Sequence, residues 1–383
     1  MTERLILIGA STRAAAQSAA RSGFQVCCLD QFGDRDLREC AGQVEVVADW
    51  PDGIPDVLSR IPTGQLAITG ALENSPQILD WLRERFLFVG CSAAAIRMLR
   101  DPAGVQEILK QAGHPWLQVS LDGPLDLQTE TPLRWLSKPL QSAAGFHVGF
   151  CDPDTSAASQ PASPDRTARA GGVYFQEFVQ GPSVSGLFLS DGEECRLLGL
   201  TRQLVGLPEA GCSGFRYCGS IGPLSTGEIS AGAFQQAHRI GQTLVEATGC
   251  AGLFGCDFIW NTDTETLSVC EVNPRYVASA EILEIACNVP LMQWHLHACR
   301  GQLPSAGIVF QRGFLAGKLI CFARKTVLSA ELRSPSAEAS LADIPPPASR
   351  IPAGHPVCTV LTTGQSESTV RSRLLAAAER VLG

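Results

Sequence analysis

In the first hundred residues short apolar runs alternate with amphipathic stretches, and few folds accommodate that rhythm. Leu5 to Ile8, Val26 to Leu29, Val44 to Val47, Leu66 to Ile68 and Phe86 to Val89 read as buried strands. Between them, 12–22, 54–60, 76–84 and 92–99 carry helical spacing. Strands without polar alternation, each followed by a helix, predict a parallel sheet covered by helices.

The pattern changes after Arg100. Residues 101–112 read as a helix, ended by Gly113 and by Pro115 beyond it. Leu133 to Leu140, Phe146 to Phe150, Val173 to Val179 and Val184 to Leu189 then read as a small antiparallel unit. Residues 151–171, rich in Ser, Ala, Pro and Asp, interrupt it as a solvated excursion. Strands at 196–201, 253–260 and 267–272 surround a helical pattern at 228–248. Helices at 279–287 and 290–300 and a strand at 314–322 follow. The Pro-rich link Ile344 to Pro352 leads to a strand at 356–362 and a terminal helix.

The 383 residues allow two or three domains. A net charge of −8 argues against a broad grip on nucleic acid, which needs a basic face. No apolar run approaches the ~18 to 20 residues that span a bilayer, and Leu5 to Ile8 is too short for a signal-peptide core. The fifteen cysteines are scattered and form no paired C-x-x-C sets, so they read as small buried hydrophobes in a reducing, cytoplasmic setting. Only four of the thirty basic residues are lysines (Lys110, Lys138, Lys318 and Lys325), and arginine cannot replace a lysine that works as a compact point charge.

Three segments could carry chemistry. Gly255-Cys256-Asp257-Phe258-Ile259, a polar turn at Asn261 to Thr266, and Val269-Cys270-Glu271-Val272-Asn273-Pro274-Arg275 read as a hairpin. It brings the Asp257 and Glu271 carboxylates together, with Asn273 on the Glu271 face. Three oxygen donors on otherwise apolar strands suit a hard cation such as Mg²⁺, with Mn²⁺ as a substitute; the alternative is a polar strand end before Pro274. Second, Lys138, on Leu136-Ser137-Lys138-Pro139-Leu140, precedes the small-residue loop Gln141 to Gly145. An ammonium followed by free backbone N–H groups suits phosphate. Third, Val173 to Gly181, containing Gln176-Glu177-Phe178-Val179, could offer backbone groups to a purine edge, though many edge strands look the same.

Taken in order, Lys138-Pro139, Gln176-Glu177-Phe178-Val179-x-Gly181, Asp257-Phe258 and Glu271-Val272-Asn273-Pro274-Arg275 resemble the ATP-grasp superfamily across roughly 100–290. The resemblance implies an α/β and α+β chain: an ATP-grasp fold with an N-terminal Rossmann-like domain before the grasp. It divides the chain into an N-terminal domain at 1–97, a small lobe with nucleotide lid at 98–186, a large lobe with the magnesium site at 187–323 and a C-terminal α/β extension at 324–383. It implies ATP between the lobes, Lys138 on the α- and β-phosphates, and adenine against Gln176 to Val179. Glu177 would offer its carbonyl and Val179 its amide. Asp257, Glu271 and Asn273 would carry Mg²⁺, and Arg275 would face the transferred phosphate.

Gly9 to Ala16, Thr201-Arg202-Gln203, Phe215 to Ser220 and Gly317-Lys318 resemble, more narrowly, ATP-grasp proteins encoded with tetrahydromethanopterin- and methanofuran-linked one-carbon metabolism, a group that includes a tyramine–glutamate ligase. That likeness implies Arg202, Arg216 and Tyr217 for gripping a carboxylate substrate, and a Gly9 to Arg13 loop facing the acceptor. Two positions depart from the superfamily. Asp101-Pro102 stands where it usually has an ATP lysine, leaving Arg100 or Lys110 to supply the charge, and Ser183 stands where it has an acidic ribose contact. His295 and His297 lack the i, i+4 spacing of a helical zinc pair and read as structural.

The resulting expectation is an ATP-dependent carboxylate–amine ligase working through an acyl phosphate on small-molecule acid and amine substrates, with no nucleic-acid or membrane partner; a homodimer is compatible with it. The rivals are a regulatory nucleotide-binding protein of the same fold and a small-acid kinase.

Overall fold

The computed structural model describes residues 3–61, 63–125, 133–151, 172–305, 307–311 and 313–383; most of the 151–171 excursion lies outside them. The N-terminal sheet has five parallel strands in the order Gln43–Val46, Gln25–Asp30, Arg4–Gly9, Gln65–Ile68 and Leu87–Phe88. Leu5, Ile6, Leu7 and Ile8 are fully buried, which is why that strand shows no polar alternation. All five strands and the four helices expected there are present. A further helix, Arg35–Cys40, occupies a stretch whose only fully buried apolar residue is Leu37.

A four-stranded antiparallel sheet follows, ordered Val119–Ser120, Val173–Glu177, Trp135–Pro139, Gly149–Phe150. The third sheet has eight strands: Thr266–Asn273, Ala251–Asn261, Ser183–Asp191, Cys195–Val205, Tyr217–Gly222, Leu315–Phe322, Pro356–Gly364 and Ala339–Ala342. The strand expected at Val184 to Leu189 in the small antiparallel unit lies instead here, between Cys195–Val205 and Ala251–Asn261. Residues after 323 extend the same sheet, since Pro356–Gly364 pairs with Leu315–Phe322 along its length.

Helix Ala231–Thr248 packs on one face of this sheet. Ser230 caps it by accepting from the Ala233 N–H at 3.2 Å, a contact worth about 1 kcal/mol, and Gly249 ends it in the left-handed region. Ala233, Ala237, Ile240, Leu244 and Val245 form its buried stripe, meeting Phe188 and Phe254, whose rings stack at 5.0 Å. Its larger buried side chains, Ile240, Leu244 and Val245, contribute about 1.5–3 kcal/mol each. The opposite face carries Leu187, Leu189 and Leu253 under helices Ala278–Cys287 and Leu291–Ala298.

Two departures from the sequence reading concern polar and sulfur groups. Cys91 and Cys250, 159 residues apart, are joined as a disulfide, while the other cysteines among the described residues are free. The Gly9 to Arg13 loop does not open towards a substrate at Arg13, which is buried. Its Nε and Nη2 donate to Asp343 at 2.9 and 3.0 Å, its Nη1 pairs with Glu281, and Lys318 Nζ reaches Glu281 at 2.8 Å. Thr12 is tied to Asp30 Oδ2 through its N–H at 2.7 Å and its hydroxyl at 2.8 Å. The loop thus locks the N-terminal sheet to the large sheet. His295, as expected, is structural: its Nδ1 accepts from the Leu253 N–H at 2.8 Å and its Nε2 lies 3.1 Å from the Val89 carbonyl. Burial lowers its pKa to about 4, so it stays neutral.

Candidate active site

The hairpin forms as its sequence requires, with Asp257 directly opposite Glu271 and Gly255 opposite Asn273. Residues laterally opposed in a sheet share a face, so the two carboxylates project together. The polar row continues across the sheet: Asp257 lies beside Ser185, Ser185 beside Thr201, Gln203 beside Ser220, and Ser220 beside Lys318.

Asp257 accepts from Gln203 Nε2 at 2.9 Å and from Asn273 Nδ2 at 3.1 Å. Burial and then the nearby Glu271 push its pKa up to about 6. Burial acts on Glu271 in the same direction, but Arg100, paired with it, and then Lys138 and Arg275 outweigh that and hold it below the usual carboxylate range. Two adjacent half-buried acids, whose charges repel, make a place for a cation. Among the described residues no three His, Cys, Asp or Glu side chains gather as metal ligands. Two carboxylates and an amide are therefore an open oxygen set, which suits an ion that keeps water and substrate oxygens in its shell.

Lys138 comes to this cluster from the other lobe. Trp135–Pro139 pairs with Val173–Glu177, setting Lys138 opposite Tyr174 and Leu136 opposite Gln176. Lys138 Nζ donates to Gln176 Oε1, and Gln176 Nε2 donates to the Cys270 carbonyl at 3.2 Å. Gln176 thus stitches the small sheet to the strand that bears Glu271. Burial lowers the Lys138 pKa, but Tyr174, Cys270, Glu271 and Asp257 together raise it further, so it remains an ammonium. Glu177 is fixed by its N–H to the Gln118 carbonyl at 2.9 Å and by its Oε2, which accepts from the Gln118 N–H at 3.1 Å. Phe178 donates its N–H to the Arg134 carbonyl at 2.8 Å and packs its ring on Phe150 and Phe215. Val179 begins the short link to Ser183–Asp191, where Gly181 is needed because a Cβ would lie 2.3 Å from the Trp260 carbonyl oxygen.

Arg275 is held on three sides: Nε donates to Glu73 at 2.7 Å, Nη2 to Asn273 Oδ1 at 3.2 Å and Nη1 to the Tyr276 carbonyl at 3.3 Å. The loop after Lys138 docks against 215–217. The Ala144 carbonyl accepts from the Tyr217 N–H at 3.0 Å, and Gly145, at φ +71°, lies so close that a Cβ would sit 2.0 Å from the Phe215 carbonyl oxygen.

The hairpin acids, Asn273, Arg275, Lys138 and Gln176 therefore converge, whereas Arg202 and Arg216 lie apart from them. Arg202 sits opposite Val184 and Ile221, on the other face of the strand from Thr201 and Gln203, 3.7 Å from Glu367 and near Trp260. Arg216 lies between the Phe146 and Phe322 rings and donates to the Gly354 carbonyl at 2.9 Å. Tyr217 is held by its hydroxyl, 2.9 Å from Ser220 Oγ. Two site residues escape the sequence reading. Gln203 adjoins Arg202, but strand alternation puts the two on opposite faces. Glu73 carries no local signal, whereas Arg100, one of the two candidates for the missing ATP charge, reaches the cluster by pairing with Glu271.

An ATP-grasp domain model matches residues 118–279. A comparison with curated protein sequences finds no match. Among solved structures, the chain is similar to the biotin carboxylase domain of the Hydrogenobacter thermophilus 2-oxoglutarate carboxylase, a dimer in complex with magnesium ADP, ADP and bicarbonate. The TM-score is 0.73 at 13% identity, over 98% of this chain and 89% of that one. It is similar also to a Campylobacter jejuni biotin carboxylase, at TM-score 0.75 and 13% identity over 99% and 91%. N5-carboxyaminoimidazole ribonucleotide synthetase from Thermus thermophilus gives 0.70 and 15% over 99% of both chains. The fold is that of the ATP-grasp proteins, preceded by a parallel-sheet domain. No helix among the described residues is long and apolar enough to cross a membrane.

Proposed function

We propose that this chain is an ATP-dependent ligase that joins a carboxylate to an amine and releases ADP and phosphate. One observation carries the reading: within an ATP-grasp fold, Lys138 from one lobe and Arg275 from the other converge on Asp257, Glu271 and Asn273. A magnesium ion held by those three side chains would neutralise charge on the phosphoryl group in transfer. Lys138 pairs with the phosphate tail. Glu177 through its carbonyl and Val179 through its amide address the purine, beside Phe178. Arg275, oriented by Glu73 and Asn273, faces the transferred phosphate.

The acid's carboxylate oxygen attacks the γ-phosphorus and the bond to ADP breaks. The amine then adds to the acyl carbon, phosphate leaves, and the nitrogen gives up a proton. No protein nucleophile is required. For holding the acid, Tyr217 and Ser220, on the strand beside Gln203 and Lys318, are better placed than Arg202 or Arg216. That the product belongs to the biosynthesis of a one-carbon-carrier cofactor is the finer part of the proposal, and it rests on the narrower sequence likeness. A homodimer is in keeping with the dimeric carboxylase domain of similar fold.

The test is chromatography of nucleotides after incubation with Mg-ATP, L-glutamate and a panel of amines that includes tyramine. ADP formed only when acid and amine are both present supports ligation. AMP overturns it, a stable phosphorylated acid points to a kinase, and tight ATP binding without turnover for any pair points to a regulatory protein.

A further inference from the structure

Arg100 stands at the junction of helices Ala93–Leu99 and Pro102–Gln111, and its side chain is 13% exposed. Its Nη1 pairs with Glu271 Oε1 and lies 3.4 Å from the Val272 carbonyl. Its Nη2 donates to Asn74 Oδ1 at 2.9 Å and to the Ser142 carbonyl at 3.3 Å, and Asn74 Nδ2 donates to that same carbonyl at 3.2 Å. Its Nε, though buried, has no partner among the described residues. Arg100 also lines a cavity of about 230 Å³ between the Asn74–Asp80 and Ala93–Arg97 segments of the N-terminal domain and the Leu140–Gln141 loop.

One cation therefore already rests on the carboxylate proposed to receive another. A guanidinium and a divalent ion cannot share the same oxygen without strong repulsion at contact distance. We propose that Arg100 and the metal ion are alternative partners of Glu271. With a metal ion on Glu271, the guanidinium would be released to turn to the polyphosphate oxygens that come with the ion. Its flat fork and spare Nε–H suit such oxygens. Because Nη2 also holds Ser142, in the loop after Lys138, and Asn74, in the N-terminal domain, the exchange ties metal loading to both. Lys110, near the end of its helix and exposed, has no comparable contact among the described residues.

The inference rests on the nucleotide-binding reading above and makes a separate claim: metal alone binds weakly, and metal with nucleotide binds cooperatively. Mn²⁺ binding is measured by electron paramagnetic resonance, with and without ADP, for the wild type, Arg100→Met and Arg100→Lys. Arg100→Met binds free Mn²⁺ about tenfold more tightly than the wild type and loses most of the gain that ADP confers, a coupling of ordinary size for linked sites. Arg100→Lys, which keeps the charge but cannot span Glu271, Asn74 and Ser142 together, lies between the two and serves if the methionine variant does not fold. Wild type that binds Mn²⁺ with ADP, together with variants whose free Mn²⁺ affinity is unchanged or weaker, overturns this inference and leaves the ligase reading standing. Wild type that binds no Mn²⁺ with ADP overturns both.

Discussion

Replacing Arg13 by Met removes the centre of the lock between the N-terminal and large sheets. The side chain is 1% exposed and serves Asp343 with two hydrogen bonds while pairing with Glu281. Removing one member of a buried ion pair leaves the partner charged and desolvated, which costs about 3–5 kcal/mol. Part of that can be located at Asp343. Burial raises its pKa, but Arg13 above all brings it down to about 2. A depressed carboxylate stabilises the fold above its unfolded value near 3.9, and the contribution disappears as pH falls towards the folded value. Nearly two units correspond to something on the order of 2 kcal/mol, present at neutral pH and lost between about pH 4 and 2. In the variant Asp343 rises, so acid unfolding begins at higher pH. Urea denaturation at pH 7 and an acid titration of the circular dichroism signal provide the assay. Adding Asp343→Asn to Arg13→Met should recover part of the loss, because the orphaned acid is then neutral. A loss below about 1 kcal/mol with an unchanged acid limb would refute the reasoning.

Gly145→Ala places a Cβ against the Phe215 carbonyl oxygen in a left-handed conformation costing about 1–2 kcal/mol before any overlap is counted. The loop should undock, seen as faster proteolysis near 140–149 and weaker nucleotide binding, with the unfolding midpoint little changed. Glu271→Gln should abolish turnover and leave the circular dichroism spectrum intact; appreciable activity with metal bound would count against its role. Metal affinity should be level above about pH 7 and fall roughly tenfold per unit below about pH 6, as Asp257 takes up a proton while the depressed Glu271 stays ionised. Mn²⁺ titrations at pH 5, 6 and 7.5 measure this, and a flat profile contradicts it.

Legibility followed how local each signal was. Arg4–Gly9 and Gln25–Asp30 announce themselves because both faces are buried, and the Asp257–Glu271 pairing because a short polar turn fixes its register. Tyr217–Gly222 escaped notice because two of its six residues are glycine, and Arg35–Cys40 because its residues are mostly charged. Ser183–Asp191 was seen as a strand but given the wrong neighbours: its partner Ala251–Asn261 lies some seventy residues further on, and nothing in either segment names the other. Still longer separations, 159, 330 and 171 residues, hide Cys91 from Cys250, Arg13 from Asp343, and Arg100 from Glu271. The acids and Lys138 were readable because strand spacing carries them. Arg275 and Arg100 are nameable as cations, but the partners Glu73 and Glu271 that hold them are not, because an arginine's partner is chosen by what folding brings to it.

The sheet that bears the acids is built out of chain order, and this matters during synthesis. Leu315–Phe322 is flanked by Tyr217–Gly222 and by Pro356–Gly364, and the latter is translated some forty residues later. Until it emerges, a long apolar strand presents an open edge, a template for pairing with other chains. During synthesis there is therefore a stage in which the segment carrying the two acids has been made while a strand of its sheet has not. That interval, rather than the finished molecule, is when a chaperone would matter most to its yield.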